Sequence, residues 1–340
     1  MIPRAGAKPP APYRVWAMST GEAGTHRQAL GLAHAVSPGA EARVIQIPRP
    51  LAALSPALFS RIYGSLYPFG AGLSPPWPEV LISCGRRAAL ASMAIQRRNT
   101  RPMVSVHIQP PPDPDAFDLV VAMPHDRLTG DNVICTPTAL HDVHSARLVE
   151  AASVGDRRIM DLPRPWTGVL VGGAAGRRPF TPVDAGRLAD QLDDLRQVIG
   201  GSLLITASRR TPPEVIAALG WRFADDTATF IWDGAGPNPY LPMLALCDRL
   251  VVTSDSISMV SEALATTAEV WIFELAGGPR HARFLETLLE TRQVARLGAP
   301  PPAPRDISLD ATPAIAEAVI ALLNQKRGHV ARTASLALSR

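Results

Sequence analysis

One stretch of the sequence combines groups that bind polar ligands. TSDSISMVSEA, residues 253–263, leads from a predicted strand into a predicted helix. Asp255 or Ser256 can cap that helix, whereas Glu262 lies too far along it to act as a cap. Asp255, Ser258 and Glu262 recur at helical spacing and share one polar face. That face is either simply solvated or a ligand site, in which Glu262 accepts hydrogen bonds from a ribose diol and the first-turn N–H groups receive a diphosphate.

A glycine-containing turn follows the first predicted strand, in STGEAGTHRQALGLA, residues 19–33. Gly21 and Gly24 permit tight turns and the close approach of a ligand. His26 falls at the start of the next predicted helix, where a neutral imidazole could act as a general base. Because every strand-to-helix connection must reverse the chain, a plain structural turn explains the glycines equally well.

A second glycine-rich turn opens the second half of the chain, in LVGGAAGRRPF, residues 170–180. Gly172, Gly173 and Gly176 could point their backbone N–H groups into a cleft, and Arg177 or Arg178 could contact a phosphate there. The spacing matches neither a dinucleotide-binding fingerprint nor a P-loop. A phosphate cradle and an ordinary turn both remain open.

A third junction, LLITASRRTPPE, residues 203–214, places polar side chains after another predicted strand. Thr211 and Pro212 form a good helix start. That explanation leaves out the adjacent Arg209 and Arg210, which follow Ser208 at the strand's carboxyl end. We therefore predict that one of these arginines contacts an anion.

Composition excludes several classes of protein. A chain of 340 residues that is 46% apolar can bury two cores. The formal charge is only +4 and the arginines are spread along the chain, so no nucleic-acid-binding stripe is predicted. Cys84, Cys135 and Cys247 are too few and too separated for a disulfide framework. His141 and His144 lack a third ligand, so no metal site is expected. No cofactor is predicted.

The N-terminal segment has prolines where a signal peptide needs its apolar stretch, and no apolar run approaches the ~18 residues of a membrane span. We therefore expect a cytoplasmic protein that contacts an inner membrane at most peripherally. The remaining histidines suggest little chemistry, although His107 and His125 lie near predicted strand ends and could face a cleft.

Short apolar runs alternate with amphipathic segments, which predicts parallel sheets covered by helices. First-series strands are predicted at 14–18, 43–47, 79–82, 103–108 and 118–122, with helices at 26–36, 51–64 and 86–98. The series restarts with strands at 167–171, 202–206, 228–232, 249–253 and 269–273. The fold class is therefore α/β with two Rossmann-like, doubly wound domains. The predicted boundaries are 1–145 for the first domain, 146–165 for a hinge, 166–310 for the second domain and 311–340 for a C-terminal helix and tail.

The chain resembles the bacterial branch of the mitochondrial-fission ELM-type family in STGEAGTHRQALGLA, VLISCGRRAA, FDLVVAMPHDRLTGDNV, VLVGGAAGRR, LLITASRRTPPE, WDGAGPNPYLPMLALCDRLVVTSDSISMVSEA and FELAGGPRHARF. The resemblance runs from about residue 14 to 295, and its most specific parts are SRRTPPE and DSISMVSEA. More distantly, the layout is similar to GT-B glycosyltransferases such as the lipid II synthase MurG. There, a glycine-rich loop corresponds to TGEAGTH with His26, a second to GGAAG, and a ribose-binding glutamate to Glu262.

The resemblance implies a nucleotide-diphosphate sugar bound by the second domain and an acceptor approaching the first domain. The chain departs from the transferase pattern in the spacing of its first loop and in LATTAEVWIF, which lacks the usual Gly-x-Pro turn. The implied sites comprise His26 as a candidate base, Gly21 and Gly24 on the acceptor side, and a nucleotide set of Gly172, Gly173, Ser208, Arg209, Arg210, Ser254, Asp255, Ser256, Ser258 and Glu262.

Three functions remain open at this stage. The first is glycosyl transfer from a nucleotide sugar, with a lipid as one candidate acceptor. The second is a non-catalytic protein that recruits partners at a membrane, and the third is a nucleotide-sugar epimerase, against which the missing dinucleotide fingerprint counts.

Overall fold

In the computed structural model the chain forms two α/β domains that face a common cleft. The structure describes residues 13–46, 58, 73–154, 157–173, 179–303 and 308–338. Within this part of the chain, each domain contains one six-stranded sheet, and every strand pair is parallel. The predicted fold class, two Rossmann-like doubly wound domains in a GT-B-like arrangement, is confirmed.

The first domain has the strand order β2-β1-β3-β4-β5-β6. Its described elements are β1 (Val15–Ser19), α1 (Ala23–Val36), β2 (Glu41–Val44), β3 (Val80–Cys84), α2 (Arg86–Arg98), β4 (Val104–Ile108), β5 (Leu119–Ala122) and β6 (Val133–Cys135), with 3₁₀ turns at Pro114–Ala116 and Pro124–Asp126.

The second domain has the strand order β12-β11-β10-β7-β8-β9. Two helices precede it and one follows it, and the elements in chain order are α3 (Ser145–Val154), α4 (Arg157–Met160), β7 (Trp166–Val171), α5 (Pro182–Ile199), β8 (Ser202–Ala207), α6 (Pro213–Arg222), β9 (Thr229–Ile231), α7 (Tyr240–Leu246), β10 (Arg249–Thr253), α8 (Ile257–Leu264), β11 (Glu269–Phe273), α9 (Pro279–Glu290), β12 (Ala295–Arg296) and α10 (Thr312–Leu338).

The central strands of both sheets are buried on both faces, which is why they form continuous apolar runs in the sequence. In the first domain, α1 and α10 cover one face and α2 covers the other. In the second domain, α7, α8 and α9 cover one face, while α5 and α6 cover the other. The loops at the carboxyl ends of the strands extend beyond this covering, and in open parallel sheets ligands bind there.

The strand order reverses once in each sheet, and these reversals decide where a ligand can enter. In the first domain the chain leaves β1 and β3 in opposite directions, and in the second domain it does so at β7 and β10. The loops that follow two such strands diverge and leave a crevice between them. The loops after β1, β7 and β10 carry most of the candidate residues from the sequence.

The segment between the domains is more regular than the sequence suggests. α3 and α4 occupy much of the predicted hinge, and α3 packs against α7 of the second domain. Val143 and Ile159 belong to the second-domain core. At the other end of the chain, α10 packs on α1 of the first domain. Of the helices that the structure describes, none is both long and apolar enough to cross a lipid bilayer.

Two strands were missed in the sequence analysis. β6 has three residues and β12 two, and both are partly exposed at sheet edges, so neither produces a long apolar run. The helix predicted at 51–64 falls outside the described residues except for Leu58.

The expectation that His107 faces the cleft is wrong. Its ring lies inside the first domain, where Nδ1 is 2.8 Å from Ser83 Oγ and the ring centroid is 5.0 Å from that of Phe117. Nε2 has no hydrogen-bond partner among the described residues. Burial lowers the pKa of His107 to about 3, because the interior disfavours an imidazolium.

This histidine makes the fold acid-sensitive. Between pH 6.5 and pH 3 the unfolded chain binds a proton at residue 107 that the folded chain does not, so the free energy of unfolding falls as the pH falls through that window. The loss approaches ~5 kcal/mol at the lower end. We expect His107→Gln to flatten this dependence in urea unfolding at stepped pH, and an unchanged slope would contradict the assignment.

Candidate functional site

A cavity of about 1340 Å³ lies between the domains. Its first wall is formed by the start of α1 together with Gln109 and Met123. Its second wall is formed by the loops after β8, β9 and β10 and by the start of α9. Of the candidate residues from the sequence, those that line it are Gly24, Ser208, Arg209, Arg210, Asp255, Ser256, Ser258 and Glu262.

Only some of the candidate residues in the turn after β1 line the cavity. Gly24 lines the cavity, and a Cβ atom placed on it would lie 3.5 Å from Ser258 Oγ of the second domain. Gly21 and His26 are not among the lining residues. The His26 Nδ1 atom instead lies 3.0 Å from Ser19 Oγ at the end of β1. The N-terminal turns of α1 and α8 therefore abut across the cleft.

The Gly172–Gly173 turn does not offer its amides to the cleft. The Gly172 N–H donates to Thr253 Oγ1 at 2.7 Å, and the Gly173 N–H donates to Asp255 Oδ2 at 2.8 Å. A side chain at Gly172 would collide with the Asp255 carboxylate, which explains the glycine there. The prediction that these amides point into the cleft is wrong, because the Thr253 hydroxyl and the Asp255 carboxylate already accept their hydrogen bonds.

Asp255 is the centre of this network. Its Oδ1 accepts the Thr253 hydroxyl at 2.7 Å, and its Oδ2 lies 3.5 Å from Arg210 Nη2. Burial raises the pKa of the Asp255 carboxyl, while the bonds from Thr253 and Gly173 and the charge of Arg210 limit the rise. The carboxylate thus organises the loops after β7, β8 and β10 around one buried point.

In the loop after β8 the arginines face the cavity, whereas the hydroxyl groups form hydrogen bonds within the protein. Ser208 Oγ and Thr211 Oγ1 are 3.0 Å apart, and Thr211 also donates to the carbonyl of Gly172. Arg209 and Arg210 are exposed along the cleft. Within the described part of the chain, Arg209 has no hydrogen bond or ion pair. Gly176, Arg177 and Arg178, which the sequence also suggested as phosphate ligands, lie outside the described residues.

The three serines around the start of α8 have different roles. Ser254 and Ser256 form hydrogen bonds with the backbone, whereas Ser258 is placed to contact a ligand. Ser256 caps the helix, since its Oγ accepts from the Met259 N–H at 3.3 Å. Ser254 exchanges hydrogen bonds with the backbone of Leu275 and does not line the cavity. Ser258 lines the cavity beside Gly24.

Glu262 is buried and its carboxylate is contacted by one residue from each domain. Its side chain is 1% exposed, which contradicts the interpretation of a solvated helix face. Oε1 lies 3.4 Å from Nη1 of Arg27, a first-domain residue, and Oε2 accepts the Tyr240 hydroxyl. Burial, followed by the nearby Glu262 charge, raises the pKa of Tyr240 well above its usual range. A carboxylate with two defined partners therefore faces the cavity.

Sequence reasoning missed the partners of these residues. Arg27 and Tyr240 touch Glu262, yet they are separated from it by 235 and 22 positions along the chain. His281 lines the cavity at the start of α9. Tyr240 and His281 lie inside segments that carry the family resemblance, but no spacing rule connects either of them to residues 253–263.

A second interdomain contact lies beside the cavity. Arg280 of α9 donates from Nε to His125 Nε2 at 2.9 Å and lies 3.4 Å from Asp126 Oδ1. Burial lowers the pKa of His125, which favours the neutral imidazole that this bond requires. His125 thus joins the two domains, as its position near a strand end allowed.

Comparison with known proteins identifies relatives at the level of sequence. A model of the family described as mitochondrial fission ELM1 matches residues 23–323. The Mitochondrial fission protein ELM1 of Arabidopsis thaliana is 31% identical over 219 residues, which cover 57% of this chain and 51% of that protein. The match therefore spans about half the length of the plant protein. The uncharacterized protein RP120 of Rickettsia prowazekii is 24% identical over 258 residues, covering 65% of this chain and 72% of that protein.

Solved structures share the fold at low sequence identity. A Listeria monocytogenes protein provisionally assigned as a UDP-N-acetylglucosamine 2-epimerase aligns with a TM-score of 0.52 and 9% identity, covering 94% of this chain and 90% of that one. MurG of Acinetobacter baumannii aligns with a TM-score of 0.47 and 12% identity, covering 94% and 95%.

Proposed function

The chain belongs to the mitochondrial fission ELM1 family, and from this premise we propose that it binds a nucleotide-diphosphate sugar in the cleft between its domains. The observation that carries the proposal is the chemistry of the second-domain wall. A buried carboxylate, Glu262, and the exposed arginines 209 and 210 line the same cavity. A carboxylate suits a ribose diol and the arginines suit a diphosphate.

The spacing along α8 supports this arrangement. Ser256 caps the helix and Glu262 follows six positions later, so about 9 Å of helix axis separates the two ends of the proposed site. The positive end of the helix dipole then faces the diphosphate and the carboxylate faces the sugar of the nucleoside. Both groups are provided by one rigid helix.

The proposed reaction is glycosyl transfer to an acceptor on the first-domain wall. The acceptor oxygen forms a bond to the anomeric carbon while its proton passes to a base, and the bond to the diphosphate breaks with its electron pair leaving on the phosphate. Arginines 209 and 210 would stabilise that charge. The family resemblance offers His26 as the base; its Nδ1 atom lies beside Ser19 Oγ and its side chain is not part of the cavity lining, so this assignment rests on the resemblance.

Recruitment of partners at a membrane is the second candidate function. It is favoured by apolar side chains on the helices between the domains: Val149, Val154 and Met160 are 69%, 78% and 51% exposed. The relative from Arabidopsis is described by a role in mitochondrial fission and not by a reaction. An epimerase would use the same class of ligand, and analysis of the products would distinguish it from a transferase.

A thermal-shift panel tests the proposal directly. UDP-N-acetylglucosamine, other nucleotide sugars and the free nucleoside diphosphates are added to the full chain. A ligand present at a hundred times its dissociation constant stabilises the folded state by about 2.7 kcal/mol, which raises the melting temperature by several degrees. If no member of the panel shifts the melting temperature, the binding proposal fails and recruitment becomes the better interpretation.

A further inference from the structure

Three polar chain segments meet at the diphosphate end of the proposed site. They are the loop after β8 with Arg210, the start of α8 with Asp255, and the start of α9 with Arg280 and His281. His281 is half-buried and lines the cavity together with Asp255 and Arg210.

Most other donors at this end of the site already have internal partners. The amides of Gly172 and Gly173 bond Thr253 and Asp255. Arg280 is shared between His125 and Asp126 of the first domain. A diphosphate must therefore be bound by side chains that line the cavity, and His281 is one of them.

The charges around His281 explain why it would respond to an anion. Burial lowers the pKa of His281, the Asp255 charge and backbone oppose that shift, and the charges of Arg280 and Arg210 add to it. The charge of a protonated His281 in turn lowers the pKa of His125 of the first domain, after the larger effects of burial and of the neighbouring charges. A diphosphate placed among these cations reverses the balance, because its negative charge stabilises an imidazolium.

We propose that His281 binds the diphosphate as an imidazolium that forms only when the ligand arrives, so that nucleotide-sugar binding takes up a proton. This inference rests on the proposed function and adds to it the residue that makes ligand affinity depend on pH. Affinity is constant below the pKa of the free protein, falls as the pH rises from there to the pKa of the complex, and is constant again above it.

Calorimetric titration of UDP-N-acetylglucosamine tests this on the full chain. The sugar-linked diphosphate does not itself titrate near neutral pH, so any proton taken up belongs to the protein. Titrations at pH 7 in buffers of different ionisation enthalpy give the number of protons bound. We expect a positive fraction of a proton in the wild type and an affinity that falls by up to tenfold per pH unit within the window.

Two variants separate the charge of His281 from its shape. His281→Gln should remove the proton uptake and weaken binding below pH 7, whereas His281→Arg, which is permanently charged, should bind without proton uptake and keep its affinity at high pH. Binding of wild type with no proton uptake, or uptake that persists in His281→Gln, would overturn this inference and leave the proposed function standing. The absence of any binding heat at millimolar ligand would overturn both.

Discussion

Glu262→Gln is expected to weaken the binding of a nucleoside diphosphate by about 1.5 to 3 kcal/mol, roughly ten- to a hundredfold in affinity. The substitution keeps the size of the side chain but removes the charged acceptor proposed for the ribose diol. Calorimetric titration of UDP into wild type and variant measures the difference directly.

The stability of this variant should change little. A glutamine oxygen can still accept the Tyr240 hydroxyl, and the lost ion pair involves Arg27, whose side chain is 49% exposed and therefore screened by water. We expect the free energy of unfolding to fall by less than about 1 kcal/mol. A loss of affinity can then be assigned to the carboxylate and not to misfolding.

A control variant sharpens this test. Glu286→Gln makes the identical chemical change on an exposed part of α9 outside the cavity lining and should leave affinity unchanged. Equal affinity of wild type and Glu262→Gln would mean that Glu262 does not bind the ribose.

Asp255→Ala is expected to lower the free energy of unfolding by about 2 to 4 kcal/mol. It leaves the buried Gly173 N–H and the Thr253 hydroxyl without their acceptor and opens a cavity among three loops. Removing a buried charge offsets part of this cost, because burial already disfavours the ionised carboxyl. Urea unfolding at pH 7 measures the change.

Asp255→Asn should be milder by more than 1 kcal/mol, because its amide oxygen can still accept the Gly173 N–H while Thr253 reverses its hydrogen bond. Asp190→Ala is the surface control: its side chain is 72% exposed and the change should stay within about 0.5 kcal/mol. If the alanine variant at position 255 were as stable as wild type, Asp255 would not be the centre of the loop network.

The sequence by itself determined the two-domain fold. Strands buried on both faces, such as β3 and β10, leave uninterrupted apolar runs, and their alternation with amphipathic helices permits only parallel sheets. It also indicated which strand ends carry polar groups, because ligand loops in such sheets follow the strands. Short edge strands escaped detection, since β12 has only two residues and β6 only three.

Only the tertiary structure decided what those polar groups do. From the sequence, the amides of Gly172 and Gly173 were interpreted as free donors. In the structure β7 pairs with β10, and this pairing places Thr253 and Asp255 where they accept hydrogen bonds from these amides. From the sequence, Glu262 was only one residue of a polar helix face. The structure shows that Arg27 and Tyr240 contact its carboxylate. Helical and strand periodicity report on neighbours a few positions apart, whereas these partners are set by the packing of loops and domains.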